Sequence, residues 1–179
     1  MMPIGPLMIE HRWIERVIVD LKLRLDGQSP GKGVDSAYVE RVVDFLRSYA
    51  DRCHHGKEED ILFSELANKD LEPTLDQAVL DLIKDHEWAR ATTRRLVAAN
   101  GSLAAGEEAA LVEVRHLLGE LAHFYPQHIE REDKGFFRPV MAYFSASEQA
   151  DMLGAFSRFD ATLIHEKYQG MARDLVGKL

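Results

Sequence analysis

Eight histidines stand in this chain of 179 residues, and five of them have a glutamate four positions on: His11, His54, His55, His116 and His128. Four residues is about one helical turn, so each such pair would share one face of a helix. Ion pairs on solvated helices have the same spacing, which makes any single pair a weak signal. Order and repetition make it stronger. Glu10-His11-Arg12-Trp13 in the first half matches Asp85-His86-Glu87-Trp88 in the second. Further on, the run His55 to Phe63, with Glu59 inside it, matches His128 to Phe136, with Glu132 inside it. The two histidines are 44 residues apart in the first half and 42 in the second. Each half therefore reads as a helical hairpin carrying His on one helix and His-x-x-x-Glu on the next. Two such hairpins packed as a bundle would bring His11, His55, His86, His128, Glu59 and Glu132 into one core. Imidazole suits iron, and a carboxylate can bridge two cations while cancelling charge. Two irons, each with two His and sharing two Glu, would stay coordinatively unsaturated, with positions open to water, hydroxide, O₂ or peroxide.

The remaining histidines are expected elsewhere. His54 adjoins His55 but points about 100° away on an ideal helix, off the site. His116 and His123 each complete a Glu-x-x-His with Glu113 and Glu120, but both lie on one helix and off the His128 face, so they read as packing or solvated residues. His165 has no counterpart in the repeat and is not expected as a ligand; its helix is the one that could cover the site, with Glu166 or Tyr168 as the side chains that could reach it. Trp13 and Trp88 read as core packing.

The elements that must position these residues are all helical. Helix 1 is expected from Ile4 to Leu25, where Ile4, Leu7, Ile14, Ile18, Leu21 and Leu25 alternate steps of three and four and His11 fills the gap in the stripe. A loop dense in Gly, Pro and Ser (Asp26 to Gly33) follows. Helix 2 starts after Asp35 and runs to about Asn68; its upstream stripe (Val42, Phe45, Leu46, Tyr49, Cys53) falls out of phase with His55 and Glu59. A wide π turn near His54-His55-Gly56 would restore the phase. Helix 3 starts at Pro73 or Thr74 and ends at Asn100-Gly101, with Leu75, Val79, Leu82, His86, Ala89, Thr93 and Val97 along its seam. Helix 4 runs from about Gly106 to Phe144 through Pro126, where a kink is expected. Its face carries Val114, Leu117, Leu121, Tyr125, His128 and Glu132. Ser145-Ala-Ser-Glu148 opens helix 5 with a capping box. No segment has a strand pattern. The fold is all-α, with a bundle over residues 1–144 and a C-terminal helix, 145–179, packed upon it.

Composition narrows the function classes. The chain is 46% apolar and 29% charged with a net charge of −8, a balance against nucleic-acid or anionic-membrane partners. No apolar run approaches the roughly 20 residues needed to span a bilayer. The first ten residues have neither a basic n-region nor a small-residue cleavage site. The one cysteine, Cys53, excludes an internal disulfide and reads as a small buried hydrophobe. A soluble protein of the reducing cytoplasm is expected.

The order His, His-x-x-x-Glu, His, His-x-x-x-Glu from Ile9 to about Val140 resembles the hemerythrin-like (HHE cation-binding) family. The stretches His54-His55-Gly-Lys-Glu-Glu-Asp-Ile-Leu-Phe and His128-Ile-Glu-Arg-Glu-Asp-Lys-Gly-Phe-Phe look especially similar to its bacterial members. The resemblance implies an antiparallel up-and-down four-helix bundle around two iron ions joined by an oxo or hydroxo bridge. It implies His11, His55, His86 and His128 as terminal ligands, with Glu59 and Glu132 as bridges. Oxygen-carrying hemerythrins add a second ligand histidine one turn from that of the third helix; here the flanking positions are Leu82 and Arg90. They also place an aspartate one residue beyond Glu132, a spacing that Asp133 meets. The function implied is binding or sensing of O₂ or a related small oxidant. The alternative is a di-iron enzyme acting on peroxide or NO, with O₂, peroxide, NO or an anion as the small ligand.

Overall fold

The computed structural model describes residues 2–27 and 34–176, with side chains as far as Leu163. Outside the connecting turns the described residues are helical, without strands. Helix α1 is Ile4–Leu25, and its buried residues (Ile4, Leu7, His11, Ile14, Ile18, Leu21) are the seam expected from the sequence. Helix α2 spans 36–66 without a break. Asp35 caps it by accepting from the Tyr38 amide at 2.7 Å, which satisfies one of the first-turn donors left free by the helix geometry. Helix α3 is Pro73–Ala104, helix α4 covers 110–141, and helix α5 is Ala146–Val176.

The first four helices pack each against the next, and α4 closes the ring against α1. The result is a four-helix bundle of hemerythrin-like form with α5 laid against α2. Short connections between adjacent helices impose the antiparallel arrangement. The α5 start is a reciprocal capping box: the Ser145 amide donates to Glu148 at 2.8 Å, and the Glu148 amide donates to the Ser145 hydroxyl at 3.3 Å.

Three sequence expectations need correction. Helix α3 does not stop at Asn100-Gly101. The Asn100 side chain donates through Nδ2 to the Ser36 carbonyl at 3.2 Å, a bond to a neighbouring helix, and the chain turns at Gly106, whose φ of +92° only glycine adopts without strain. Its seam also drifts from Val97, which is exposed, to buried Leu96, as a 3.6-residue period must against a 3.5-residue repeat. Trp13 and Trp88 are not core residues: each is more than a third exposed, Trp13 beneath the Arg16 guanidinium and Trp88 against Phe124.

Two apolar clusters fill the bundle. One gathers Ile14, Ile18, Leu46, Leu96, Leu117 and Tyr125, and the other Leu7, Leu62, Leu82, Phe136, Phe137 and Phe156. Along every helix of the bundle the histidines fall where one cluster gives way to the other: His11 between Leu7 and Ile14, His128 between Tyr125 and Phe136. No described helix is long and apolar enough to cross a membrane.

Candidate metal centre

Each helix of the bundle sends imidazole or carboxylate into this layer. His11 from α1, His54, His55 and Glu58 from α2, His86 from α3, and His128 and Glu132 from α4 are all 0–1% exposed. They form two groups. His11, His54, Glu58 and Glu132 place one donor atom each within 4.8 Å of the others, and so do His55, His86 and His128.

Wide helical turns explain how two adjacent residues of α2 both face inward. Leu46–His55 and Glu58–Phe63 are π-helical, and the Gly56 amide reaches back five residues to the Asp51 carbonyl. More residues per turn means a smaller angle between neighbours, so His54 and His55 fit on one buried face. Helix α4 makes the same adjustment at Glu132–Phe136, where the Phe137 amide returns to the Glu132 carbonyl.

Of the six residues singled out from the sequence, the structure brings together five: His11, His55, His86, His128 and Glu132. Glu59 lies outside the cluster, about a quarter exposed, accepting from His86 Nδ1 at 2.6 Å and from Arg90 at 2.7 Å. Glu58 holds the inward position. The register of the second helix thus shifts by one residue, and His54 joins the site. His116 and His123 are exposed, as expected. His165, Glu166 and Tyr168 lie outside the residues whose side chains are described.

The corrected register makes the two halves correspond more closely. His54, Lys57, Glu58, Glu59 and Phe63 match His128, Arg131, Glu132, Asp133 and Phe137, and His-to-His spacings become 43 and 42. Phe63 stacks on His86 and Phe137 on His11. Four histidines pair Nδ1 with a carboxylate: His11 with Asp133 at 2.7 Å, His54 with Glu10 at 3.0 Å, His86 with Glu59 at 2.6 Å and His128 with Asp85 at 3.2 Å. Each carboxylate is in turn held by a cation: Arg12 on Asp133, Lys57 on Glu10, Arg90 on Glu59 and Arg131 on Asp85. A carboxylate on Nδ1 fixes ring orientation and leaves Nε2 as the free lone pair, the arrangement typical of metal-ligating histidine. His55 stands apart, its Nδ1 3.5 Å from an Asp51 oxygen that Arg90 already occupies.

The inward atoms have no such partners. All five Nε2 atoms and all four oxygens of Glu58 and Glu132 are buried without a hydrogen bond. Nine orphaned polar atoms in one core would cost far more than a folded domain tolerates unless something binds them. Their spacing suits a cation. Donors at about 2.1 Å from one ion lie about 3 Å apart when adjacent. Here His11 Nε2 is 3.1 Å from Glu132 Oε2, His54 Nε2 3.4 Å from Glu58 Oε1, and His128 Nε2 3.4 Å from Glu132 Oε2. Both carboxylates span the two groups: Glu58 reaches His54 with one oxygen and His86, at 3.5 Å, with the other.

The protonation pattern says the same. Burial raises Glu58, and Glu132 beside it adds to the effect, so this carboxyl sits well above its usual range. Burial opposes ionisation of Glu132 too, but His128, His11 and His86 hold it well below. Burial lowers His11, yet Asp133 and Glu132 outweigh it and carry the ring to about 9. Burial brings His54 to about 4, and burial with the adjoining imidazoles pushes His55 well below its ordinary value. Protons are thus a poor substitute for a cation here, because only part of the set can take them.

A helical bundle holding two buried groups of imidazoles spanned by two carboxylates defines a metal-binding protein. The chain belongs to the hemerythrin family, matching the model of the hemerythrin HHE cation-binding domain over residues 2–140. Helix α5 lies beyond the matched region. Neither the curated proteins nor the solved structures include a significant match.

Proposed function

We propose that the chain holds two iron ions and binds O₂ or a related small ligand at one of them. The observation that carries this reading is the set of nine orphaned donor atoms, divided between two groups and spanned by Glu58 and Glu132. His11 and His54 with the two carboxylates would give one ion four protein donors. His55, His86 and His128 with the same carboxylates would give the other five. One solvent-derived bridge would complete the second ion and leave the first, on the His11 and His54 side, with one position open. His55 thereby supplies from α2 the imidazole that Leu82 and Arg90 do not supply on α3. Iron would contribute a change of oxidation state at that open position. The protein contributes orientation, through the four carboxylate-held rings, and exclusion of water, through the apolar clusters above and below.

Turnover of peroxide or NO would use the same open position. The binding reading is favoured because the protic groups nearest the cluster are engaged in orienting imidazoles: Glu10, Glu59, Asp85 and Asp133 each hold a ring and a cation. The test is metal analysis of purified protein followed by ligand titration. Two iron per chain and one small anion such as azide bound per chain are expected. Fewer than one iron after aerobic reconstitution would refute the reading, and rapid catalytic peroxide loss would favour the enzyme.

A further inference from the structure

The four His–carboxylate–cation chains are not equivalent. Three end in arginines that reach solvent: Arg12, Arg90 and Arg131. The fourth, which serves His54, ends in Lys57, and Lys57 is completely buried. What buries it is α5. The Lys57 ammonium donates to Glu10, as described, and to Asp160 of α5 at 2.8 Å. The Cys53 thiol donates to the same Asp160 oxygen at 3.4 Å. Glu10, Cys53 and Asp160 are close enough to suggest a further cation site, but the ammonium already fills it.

Lysine suits this place only with help. Its ammonium is a point charge on a flexible stem and lacks the planar fork by which arginine fixes a carboxylate. A second anchor on the ammonium supplies the missing constraint, and Asp160 is that anchor. The backbone contact beside it is equally tight. A Cβ built on Gly56 would stand 2.7 Å from Phe159 Cζ, so glycine between His55 and Lys57 gives the Phe159 ring of α5 room to pack on α2. Met152 and Phe156 carry the same face of α5 into the apolar cluster around Leu7 and Phe137.

We propose that α5, outside the matched family region, is a positioning element for one metal ligand: Asp160 fixes Lys57, Lys57 fixes Glu10, and Glu10 fixes the His54 ring. The ion served is the one on the His11 and His54 side, to which the small-ligand position was assigned. This inference rests on the metal reading above. A shift of α5 loosens His54 first: among the described residues, no side chain of α5 makes a hydrogen bond or ion pair with the carboxylates and arginines that hold His86 and His128.

The full chain loaded with cobalt(II) tests it. Ligand imidazoles of a paramagnetic ion give exchangeable Nδ1–H proton resonances far outside the normal spectral range, and Glu10→Gln identifies the one from His54. Asp160→Asn is expected to move that resonance alone, speed its exchange with solvent, and weaken one of the two ions about 10-fold, at the low end for losing a supporting contact around a metal. Asp160→Glu restores it, and Asp151→Asn, an exposed change on the same helix, leaves the spectrum unaltered. Gly56→Ala, which removes no polar group, moves the same resonance by displacing the Phe159 ring beside Asp160. The inference is overturned if both Asp160→Asn and Gly56→Ala keep the His54 resonance and both affinities, or if all ligand resonances shift together. Absence of shifted resonances from the unsubstituted protein would instead sink the metal reading itself.

Discussion

Glu58 and Glu59 are adjacent acids with opposite assignments, and exchanging each for glutamine separates them. Glu58 presents one oxygen 3.4 Å from His54 Nε2 and the other 3.5 Å from His86 Nε2, so Glu58→Gln takes a shared donor from both ions. Glu59→Gln takes a donor from neither and weakens only the support of His86 Nδ1. Loss of such support lowers metal affinity about 10- to 100-fold, or about 1.4–2.7 kcal/mol. The same free energy leaves the stability of the loaded protein, and at about 2–4 °C per kcal/mol for a chain of this size the melting point falls about 3–11 °C. Glu59→Gln should therefore keep two ions through desalting, and competition with a chromophoric chelator should register the weaker affinity. Glu58→Gln should lose at least one ion. Without metal the order inverts: Glu58 is buried opposite Glu132, which raises its pKa, so a neutral amide there should raise the melting point of the apoprotein. Retention of both ions by Glu58→Gln, with loss of one from Glu59→Gln, would refute the register of α2 and the site built on it.

Chelation of the unsubstituted protein should lower its melting point well beyond any point substitution, since it strands nine buried donors; calorimetry with and without chelator checks this. Replacing His55 with glutamine should raise azide bound per loaded chain from one toward two, because the second ion then also has an open position. The Ser145→Ala substitution should cost about 1 kcal/mol by unmaking the α5 cap. The cap also depends on acid: Lys69 and Ser145 hold Glu148 at about 2 against 4.5 in the free side chain, so its contribution is present above about pH 4.5 and disappears as pH falls through 2. Burial raises the Cys53 thiol to about 12, so thiol reagents at pH 7 should modify native protein far more slowly than unfolded protein.

The helices were legible because their signals are local. The alternating stripe of α1, the Asp35 cap, Pro73 and the Ser145–Glu148 box each act within a turn or two of chain. The site was legible to one residue, and the error has a definite origin. Aligning His55 with His128 also aligns Glu59 with Glu132, Asp60 with Asp133 and Phe63 with Phe136, four identities. The register found in the structure has three identities and two conservative pairs, Lys57 with Arg131 and Glu59 with Asp133. Those two pairs are the relay that orients the imidazoles, so the chemistry favoured the register that bare identity did not. The π turns compounded the error, because ideal helical geometry sends His54 and His55 to different faces. The stacking of α5 on Lys57 depends on contacts more than 100 residues apart and had no local signature beyond Gly56.

The two halves differ most where function would reside. His54 and His128 correspond, as do Glu58 and Glu132, so duplication by itself would give two ions with equal surroundings. His55 breaks that equality, since its counterpart after His128 is Ile129. It enters the group containing His86 and His128, and its ring lies parallel to His86 with centroids 3.9 Å apart. It is also the one imidazole of the five whose Nδ1 is outside hydrogen-bonding range of a carboxylate. In the proposed two-ion site, a histidine added to a symmetric set, with no relay of its own, would convert two equivalent ions into one filled and one open. The cost of accommodating it is visible in α2, where the helix widens over Leu46–His55 to seat two adjacent imidazoles. On the proposed open side lies the chain of Glu10, Lys57 and Asp160, among the described residues the one relay with a hydrogen-bonding member on α5. On this proposal, the ion with a free position would be the one whose ligand geometry depends on α5.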